Sequence, residues 1–206
     1  FQERVCMPQN SIRPEGIEIL LMSLCLCPGL RELDLQDNTF TKVGSLALAR
    51  YLISWPWLRL LNIGECLLGK EGSLAILNAL IGKCEDLEEQ LLMSYNEIEI
   101  DGLRVVPAVL VGKSRMHLVE LNGNKFEAES GEVDAVKDAL RAMGRADGLD
   151  ELDDMEVSSD DEKDEVGIID DEETGVKVLT NLLAGQGGCV MVVLCLLKLC
   201  LSTLAF

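Results

Sequence analysis

The chain has a single histidine, His117, among its 206 residues. Catalysis by Ser-His-Asp or Cys-His groups needs a base beside the nucleophile, and one histidine leaves little to serve as that base. The eight cysteines form no C-x-x-C pair, and Cys25 and Cys27 have no histidine at metal-ligand spacing. A conventional enzyme with its own active site, metal or cofactor is therefore the weakest interpretation of this sequence.

Clusters of Lys and Arg are also lacking. The chain carries 18 basic against 36 acidic residues, for a net charge of −18. Neutralising phosphates needs grouped basic side chains, so nucleic acid is disfavoured as a partner, whereas a basic protein surface suits this charge. Cysteines scattered at apolar helical positions are typical of reduced intracellular proteins. We therefore expect a cytoplasmic protein.

One pattern recurs along the chain. Residues 30–40 follow L-x-x-L-x-L-x-x-N-x-Φ, where Φ is a large apolar residue, and residues 58–68 and 116–126 repeat the pattern. Self-similarity at such a period predicts stacked repeats before any local pattern is considered. The asparagine position recurs at steps of 28, 28, 30 and 28 residues, through Asn10, Asn38, Cys66, Asn96 and Asn124.

Each repeat continues as a helix. A glycine follows the asparagine position and opens an apolar stretch of helical period, as in Ile17, Leu20, Leu21 and Leu24. In L-x-L both leucines face the core and the residue between them faces outward. We predict an α/β fold over residues 1–146: a leucine-rich-repeat solenoid of about five repeats, a ribonuclease-inhibitor-like horseshoe with parallel strands inside and helices outside.

The asparagine position has a structural explanation. It lies where the strand turns away from the sheet, and an amide both donates and accepts hydrogen bonds. It can therefore satisfy backbone groups that the turn would otherwise bury unpaired. Cys66 replaces the amide with a weak donor. We predict a structural ladder in the core, without a catalytic role, formed by Asn10, Asn38, Cys66, Asn96 and Asn124.

Two features predict a distorted fourth repeat. Leu87 comes one residue early, so that Glu88 stands at the leucine position. Pro107 falls within the fourth helix, where proline removes a hydrogen bond and clashes with the preceding turn at a cost of about 3 kcal/mol.

The negative charge is concentrated behind the repeats. The net charges are −6 for residues 1–146, −14 for residues 147–173 and +2 for residues 174–206. Like-charge repulsion and few apolar residues predict a disordered acidic tail over residues 147–175. Two roles stay open for this tail: solubility, or an electrostatic arm that speeds association with a basic partner. Ser158 and Ser159 precede acidic residues and are candidate phosphorylation sites.

The two ends of the chain depart from the repeat pattern. The sequence opens at Phe1, partway into a repeat and without a polar cap, so we expect a piece of a longer horseshoe. An apolar run of about 18 residues from Cys189 to Phe206 is just long enough to span a bilayer, but Lys198 near its middle opposes insertion. Three interpretations of residues 176–206 stay open: a non-native end from a gene-model error, which we favour, a membrane anchor, or a segment buried in the core.

Several stretches resemble the Ran GTPase-activating proteins, especially the fungal form. The resemblance rests on the exposed residues between the leucines, the length of the repeat and the acidic run behind the last one, and it covers about residues 7–165. The stretches that carry it are residues 12–17, 30–41, 54–59, 95–99, 118–126 and 149–156.

The resemblance implies a regulator that accelerates GTP hydrolysis by the small GTPase Ran in nucleocytoplasmic transport, in the cytoplasm and its perinuclear region. Its partner would be GTP-bound Ran, together with a Ran-binding protein, and no cofactor is implied. In this family the glutamine of Ran does the chemistry once positioned, so the regulator has no active site of its own. The family's activating asparagine and arginine lie in earlier repeats that are absent here, so no residue is assigned as catalytic.

Partner binding is then expected on the concave face and its rim, where solenoids bind other proteins. Aromatic anchors and charged rims recur at interfaces, which makes Tyr95 and Asp37 the first choices. Arg31 and Arg59 are expected to be solvated. The alternative is a generic leucine-rich-repeat scaffold, tethered to a membrane by its C-terminus. The candidate partner-binding residues are Asp34, Asp37, Glu65, Tyr95, Glu120 and Asn122.

Overall fold

In the computed structural model the chain alternates short strands with helices. The structure describes residues 2–155 except residues 83, 85, 86, 88 and 114. The strands are β1 (Arg4–Cys6), β2 (Glu32–Asp34), β3 (Leu60–Asn62), β4 (Gln90–Leu92) and β5 (Leu118–Glu120). The helices are α1 (Pro14–Leu24), α2 (Thr41–Tyr51), α3 (Gly69–Leu80), α4 (Ile100–Leu103), α5 (Val106–Leu110) and α6 (Gly131–Ala142), and a 3-10 turn (Leu52–Ser54) follows α2.

The five strands form one parallel sheet in chain order, which confirms the predicted α/β class. Its register aligns one apolar residue from each strand, and all five are buried. Burying each such side chain contributes roughly 1.5–3 kcal/mol, so this row fixes which side of every strand faces inward. The residues on either side of it therefore face outward. The row consists of Val5, Leu33, Leu61, Leu91 and Val119.

The ladder amides bridge successive turns at the carboxyl ends of the strands. Asn124 is fully buried, and its Oδ1 accepts from the backbone N–H groups of Asn96 (3.0 Å) and Ile98 (2.9 Å). Its Nδ2 donates to the backbone carbonyls of Met93 (3.1 Å) and Leu121 (2.7 Å). One side chain thus satisfies four backbone groups that water does not reach.

The other ladder positions make this arrangement to different degrees. Asn38 and Asn96 bond the preceding turn and their own turn in the same way. The Cys66 thiol donates to the carbonyls of Leu35 and Gly64, both at 3.3 Å. Asn10 differs from the prediction of a core position, because it is exposed and its amide donates to the nearby Pro8 carbonyl. No described turn lies before Asn10 for its side chain to bridge.

A second ladder, which the sequence did not suggest, caps the helices. The last carbonyls of a helix have no partner within it. Here, the residues three positions before Leu58, Leu87 and Met116 are buried. Each donates a hydrogen bond to a carbonyl at the end of the helical segment of the preceding repeat. These pairs are Trp55 Nε1 with Leu24 (3.0 Å), Cys84 Sγ with Leu52 (3.4 Å) and Lys113 Nζ with Leu80 (3.2 Å).

The predicted distortion of the fourth repeat is confirmed. Its helix is divided into α4 and α5, of four and five residues, whereas α1, α2, α3 and α6 have 11 or 12. Pro107 lies in the first turn of α5, where a missing N–H leaves no helix bond unmade. Leu87 and Leu91 are both buried, as Leu58 and Leu61 are in the repeat before, so one of the two extra residues of this repeat is accommodated between Leu87 and Leu91. Glu88 itself lies outside the described residues.

Residues 148–150 add a further rung beside β5. Leu149 pairs with Val119 as a parallel bridge, and the Val119 N–H donates to the Gly148 carbonyl at 2.7 Å. The acidic tail was predicted to begin at residue 147, so its first residues instead belong to the folded edge of the sheet. Residues 156–175 of the predicted tail, with Ser158 and Ser159, and the apolar segment 176–206 lie outside the described residues. Within the described part, no helix is both long and apolar enough to cross a membrane.

Candidate partner-binding surface

A groove of about 560 Å³ opens at the carboxyl ends of β3, β4 and β5. These ends meet there because all strands of the sheet run in the same direction. Four of the six predicted partner-binding residues line the groove, so the structure brings together side chains from three repeats. Among its lining residues are Glu65, Tyr95, Glu120, Asn122, Asp150 and Asp153.

The edge of the groove is a row of residues with left-handed backbone, one from each turn; we name it the rim row. Each member directly precedes a ladder position, where the chain bends sharply out of the strand. A non-glycine residue in this region costs roughly 1–2 kcal/mol, so the surrounding turn must hold it. The rim row consists of Gln9 (φ 56°), Asp37 (φ 53°), Glu65 (φ 55°), Tyr95 (φ 55°) and Gly123 (φ 69°).

Of the two remaining predicted partner-binding residues, Asp37 belongs to the rim row and Asp34 does not. Asp37, Glu65 and Tyr95 together line a second depression of about 370 Å³ on the rim. Asp34 lines neither cavity. Its carboxylate accepts hydrogen bonds from the Cys6 thiol at 3.4 Å and the Gln36 backbone N–H at 3.2 Å.

Tyr95 is held in place although 46% of its surface is exposed. Its ring lies over Gly123, where any Cβ would overlap the ring carbons. Its hydroxyl donates to Asp154 Oδ2 at 2.7 Å, and this bond is the main reason that the pKa of Tyr95 is raised. The aromatic anchor is therefore fixed from below by a glycine and from the side by a carboxylate.

The centre of the groove crowds negative charge. The Asp150 carboxylate accepts from the backbone N–H groups of Leu121 and Asn122, both at 2.9 Å. Burial raises the pKa of Asp150 despite these bonds. Burial, and then repulsion from Asp150, raises the pKa of Glu120, while a bond with the Ser94 hydroxyl acts in the opposite direction. Both carboxyls would therefore be stabilised by a cation placed in the groove.

The two ends of the strands differ in how their charges are paired. At the amino ends, Arg59 pairs with Glu89 at 3.3 Å and Arg31 with Glu3 at 3.8 Å, with both arginines partly exposed. At the carboxyl ends, no Lys or Arg of the described residues forms an ion pair with the acidic side chains of the groove. Within the same part of the chain no cluster of His, Cys, Asp or Glu is arranged to hold a metal ion.

Sequence reasoning missed Asp150, Asp153 and Asp154 as members of this surface. It assigned them to the acidic tail, because the leucine that should follow Leu149 by two residues is Glu151. One signal was present: Leu149 follows Val119 by 30 residues, the same step that separates Leu61 from Leu91. No pattern in the sequence predicted the close approach of Tyr95 to Gly123.

Comparison with known proteins finds a distant relative of the chain. No family model matches the chain. It is 35% identical over 134 residues to Ran GTPase-activating protein 1 of the yeast Saccharomyces cerevisiae. The chain is a distant relative of the Ran GTPase-activating proteins. The aligned region covers 63% of this chain and 33% of the yeast protein, so the chain spans about a third of that relative's length.

Proposed function

We propose that the chain takes part in activating GTP hydrolysis by Ran, and that it does so by binding GTP-bound Ran through the groove and the rim row. The observation that carries the proposal is a set of carboxylates at the carboxyl ends of the strands, none of which pairs with a Lys or Arg of the described residues, in a relative of a Ran GTPase-activating protein. A surface of this charge recruits a basic partner and speeds the encounter.

We further infer that the strand–turn–helix units are leucine-rich repeats of a horseshoe whose inner face bears this surface. The chain-order parallel sheet, the buried amides of Asn38, Asn96 and Asn124 and the helical segment that follows each strand support this assignment. Solenoids of this kind bind partners across several repeats at once. Glu65, Tyr95 and Glu120 come from three successive units and line one groove, as such binding requires.

In this proposal the chain supplies binding and no reacting group. The polar side chains that line the groove are carboxylates, amides, one serine hydroxyl and one phenol, while Arg31 and Arg59 lie in ion pairs at the other end of the strands. Such a surface can orient a GTPase whose own glutamine positions the attacking water. We therefore propose a regulator rather than a catalyst with its own active site.

The test is binding of the 206-residue chain to Ran loaded with a non-hydrolysable GTP analogue, with GDP-loaded Ran for comparison. We expect preferential binding to the GTP form, and loss of about tenfold or more in affinity on Glu65→Lys or Tyr95→Ala, as for interface anchors. In single-turnover hydrolysis we expect little acceleration, because only a third of the relative is represented.

Glu127→Lys is the matched control for Glu65→Lys. It makes the same charge reversal at an exposed position in the loop before α6, outside both depressions. If both reversals weaken binding equally, the groove has no special role and only net charge matters. If Ran in neither nucleotide state binds, the chain is instead a leucine-rich-repeat scaffold for another partner.

A further inference from the structure

Residues 150–154 turn back over the groove that the preceding strands form, and we name them the return segment. Three hydrogen bonds fasten its far end. The Asn122 Nδ2 donates to Asp153 Oδ1 at 3.1 Å, and the Asp154 backbone N–H donates to Asn122 Oδ1 at 3.0 Å. The Tyr95 hydroxyl donates to Asp154 Oδ2 at 2.7 Å.

These bonds occupy the polar groups that partner binding would use. The amide of Asn122 is engaged at both its donor and its acceptor. The hydroxyl of Tyr95 gives its proton to Asp154. A partner that bonds Asn122 or Tyr95 must first replace the return segment at these atoms, so the two compete for the same positions.

We propose that the return segment is an autoinhibitory cover, closed over Tyr95 and Asn122 in the free protein and displaced when a basic partner enters the groove. The inference rests on the proposed function, because it takes these residues to be partner contacts. The cover makes part of the rim available only to a partner able to displace two carboxylates, which favours Arg-rich and Lys-rich surfaces over neutral ones.

The return segment is anchored unequally along its length, which suits a cover that opens without unfolding the sheet. At its start, Asp150 accepts two backbone N–H groups of the sheet edge and is half-buried. At its end, Asp153 and Asp154 are exposed, and their carboxylates accept from the Asn122 amide and the Tyr95 hydroxyl. Hydrogen bonds to a carboxylate are worth more away from water, so the half-buried Asp150 is the hinge and the exposed far end is what opens.

Charge opposes closure. The return segment brings Asp153 and Asp154 toward the side of the groove that holds Glu65 and Glu120, and like charges at such a surface repel. Salt screens this repulsion over about 10 Å at 0.1 M, so added salt favours the closed cover. Salt also weakens the attraction between the groove and a basic partner. Because both effects act in the same direction, partner affinity should fall more steeply with ionic strength than it would without the cover.

The first part of the test uses the full chain without a partner. We compare the wild type with a cover variant, Asp153→Ala with Asp154→Ala, and with a control, Glu127→Ala with Asp147→Ala. The control removes two exposed carboxylates that lie outside the return segment and both depressions, neither of which bonds Tyr95 or Asn122. By NMR we expect the Asn122 side-chain amide and the residue-154 backbone amide to exchange faster in the cover variant only. Equal exchange in all three chains would overturn closure.

The second part measures affinity for Ran loaded with a non-hydrolysable GTP analogue. A cover that is mostly closed lowers the apparent affinity by the open fraction, so the cover variant should bind about threefold tighter or more although it has lost two negative charges. The control should bind equally or more weakly. If the cover variant weakens as the control does, the return segment belongs to the binding surface and the proposal is wrong. If no chain binds Ran, the proposed function fails, while the exchange measurement still reports whether the cover closes.

Discussion

The asparagine before each turn meets a requirement that few other side chains can meet. It must accept from two N–H groups of the preceding turn and donate to two carbonyls, one in the preceding turn and one in its own, within a space that excludes water. Asn124 does so with contacts between 2.7 and 3.1 Å. Aspartate lacks the donors and glutamine is longer, which explains in physical terms why this letter recurs in the sequence.

Replacing Asn124 should therefore be costly. We expect Asn124→Ala to lower the free energy of unfolding by roughly 3–4 kcal/mol, because buried backbone groups lose their partners. Asn10→Ala, at the exposed end of the ladder, should cost less than about 0.5 kcal/mol, as surface substitutions do. Urea unfolding followed by circular dichroism measures both. Similar losses at the two positions would mean that the ladder bonds do not explain the choice of asparagine.

Glu120 should make stability depend on pH. Its pKa is raised above the usual 4.5 by burial and by Asp150, so its ionised form opposes folding at neutral pH. This destabilisation is absent below the unfolded-state pKa of Glu120. It grows as the pH rises above that value and is complete once the pH exceeds the raised folded-state pKa. We expect Glu120→Gln to be more stable than the wild type at pH 7, and this difference to vanish below about pH 4.5.

The measurement for Glu120 is chemical unfolding of both chains from pH 4 to pH 8. Glu127→Gln, at an exposed loop position, removes the same charge and should leave the pH profile of the wild type nearly unchanged. A gain for Glu120→Gln that persists at low pH would point to packing or hydrogen bonding instead of ionisation.

At the scale of the element, the edge of the sheet is closed by a side chain. An exposed parallel strand presents N–H groups to any other strand that approaches. At β5 the Asp150 carboxylate takes the N–H groups of Leu121 and Asn122, where a further strand would have offered carbonyls. One aspartate thus ends the described sheet.

Removing this closure should destabilise β5 and expose its edge. We expect Asp150→Ala to lower the free energy of unfolding by about 1–3 kcal/mol and to increase self-association, since two N–H groups are left without their partner. Asp147→Ala removes an equal charge from an exposed neighbour and should do neither. Denaturation and light scattering at matched concentrations test the pair. Equal behaviour would show that the edge does not need Asp150.

The helices show where local sequence is sufficient and where it is not. The break at Pro107 was predictable because a proline disrupts a helix wherever the helix is placed. The helix-capping role of Trp55, Cys84 and Lys113 was not, because an indole, a thiol and an ammonium share no pattern in a sequence. Their common feature is sequence position, because each lies three residues before Leu58, Leu87 or Met116.

For the whole molecule, the parallel sheet was predictable and the groove only in part. A period near 28 residues fixes the order, direction and register of the strands, because every unit must bury its row against the next. The repeat also indicated which side chains face outward, and so Glu65, Tyr95, Glu120 and Asn122. Residues 150–154 have lost the leucine pattern, and their contacts with Tyr95 and Asn122 join positions 28 to 59 residues apart. Periodicity cannot predict a contact that occurs once.

The rim row has a consequence for how such a surface can change. An amide, two carboxylates, a phenol and a glycine occupy the same backbone conformation on successive turns. At Asp37, Tyr95 and Gly123 the turn is held by the buried amide that follows, so a new side chain at these rim positions leaves the interior as it was. Partner recognition and folding thus depend on adjacent residues of the sequence. Evolution can change the binding partner by single substitutions about one repeat apart, while the fold stays the same.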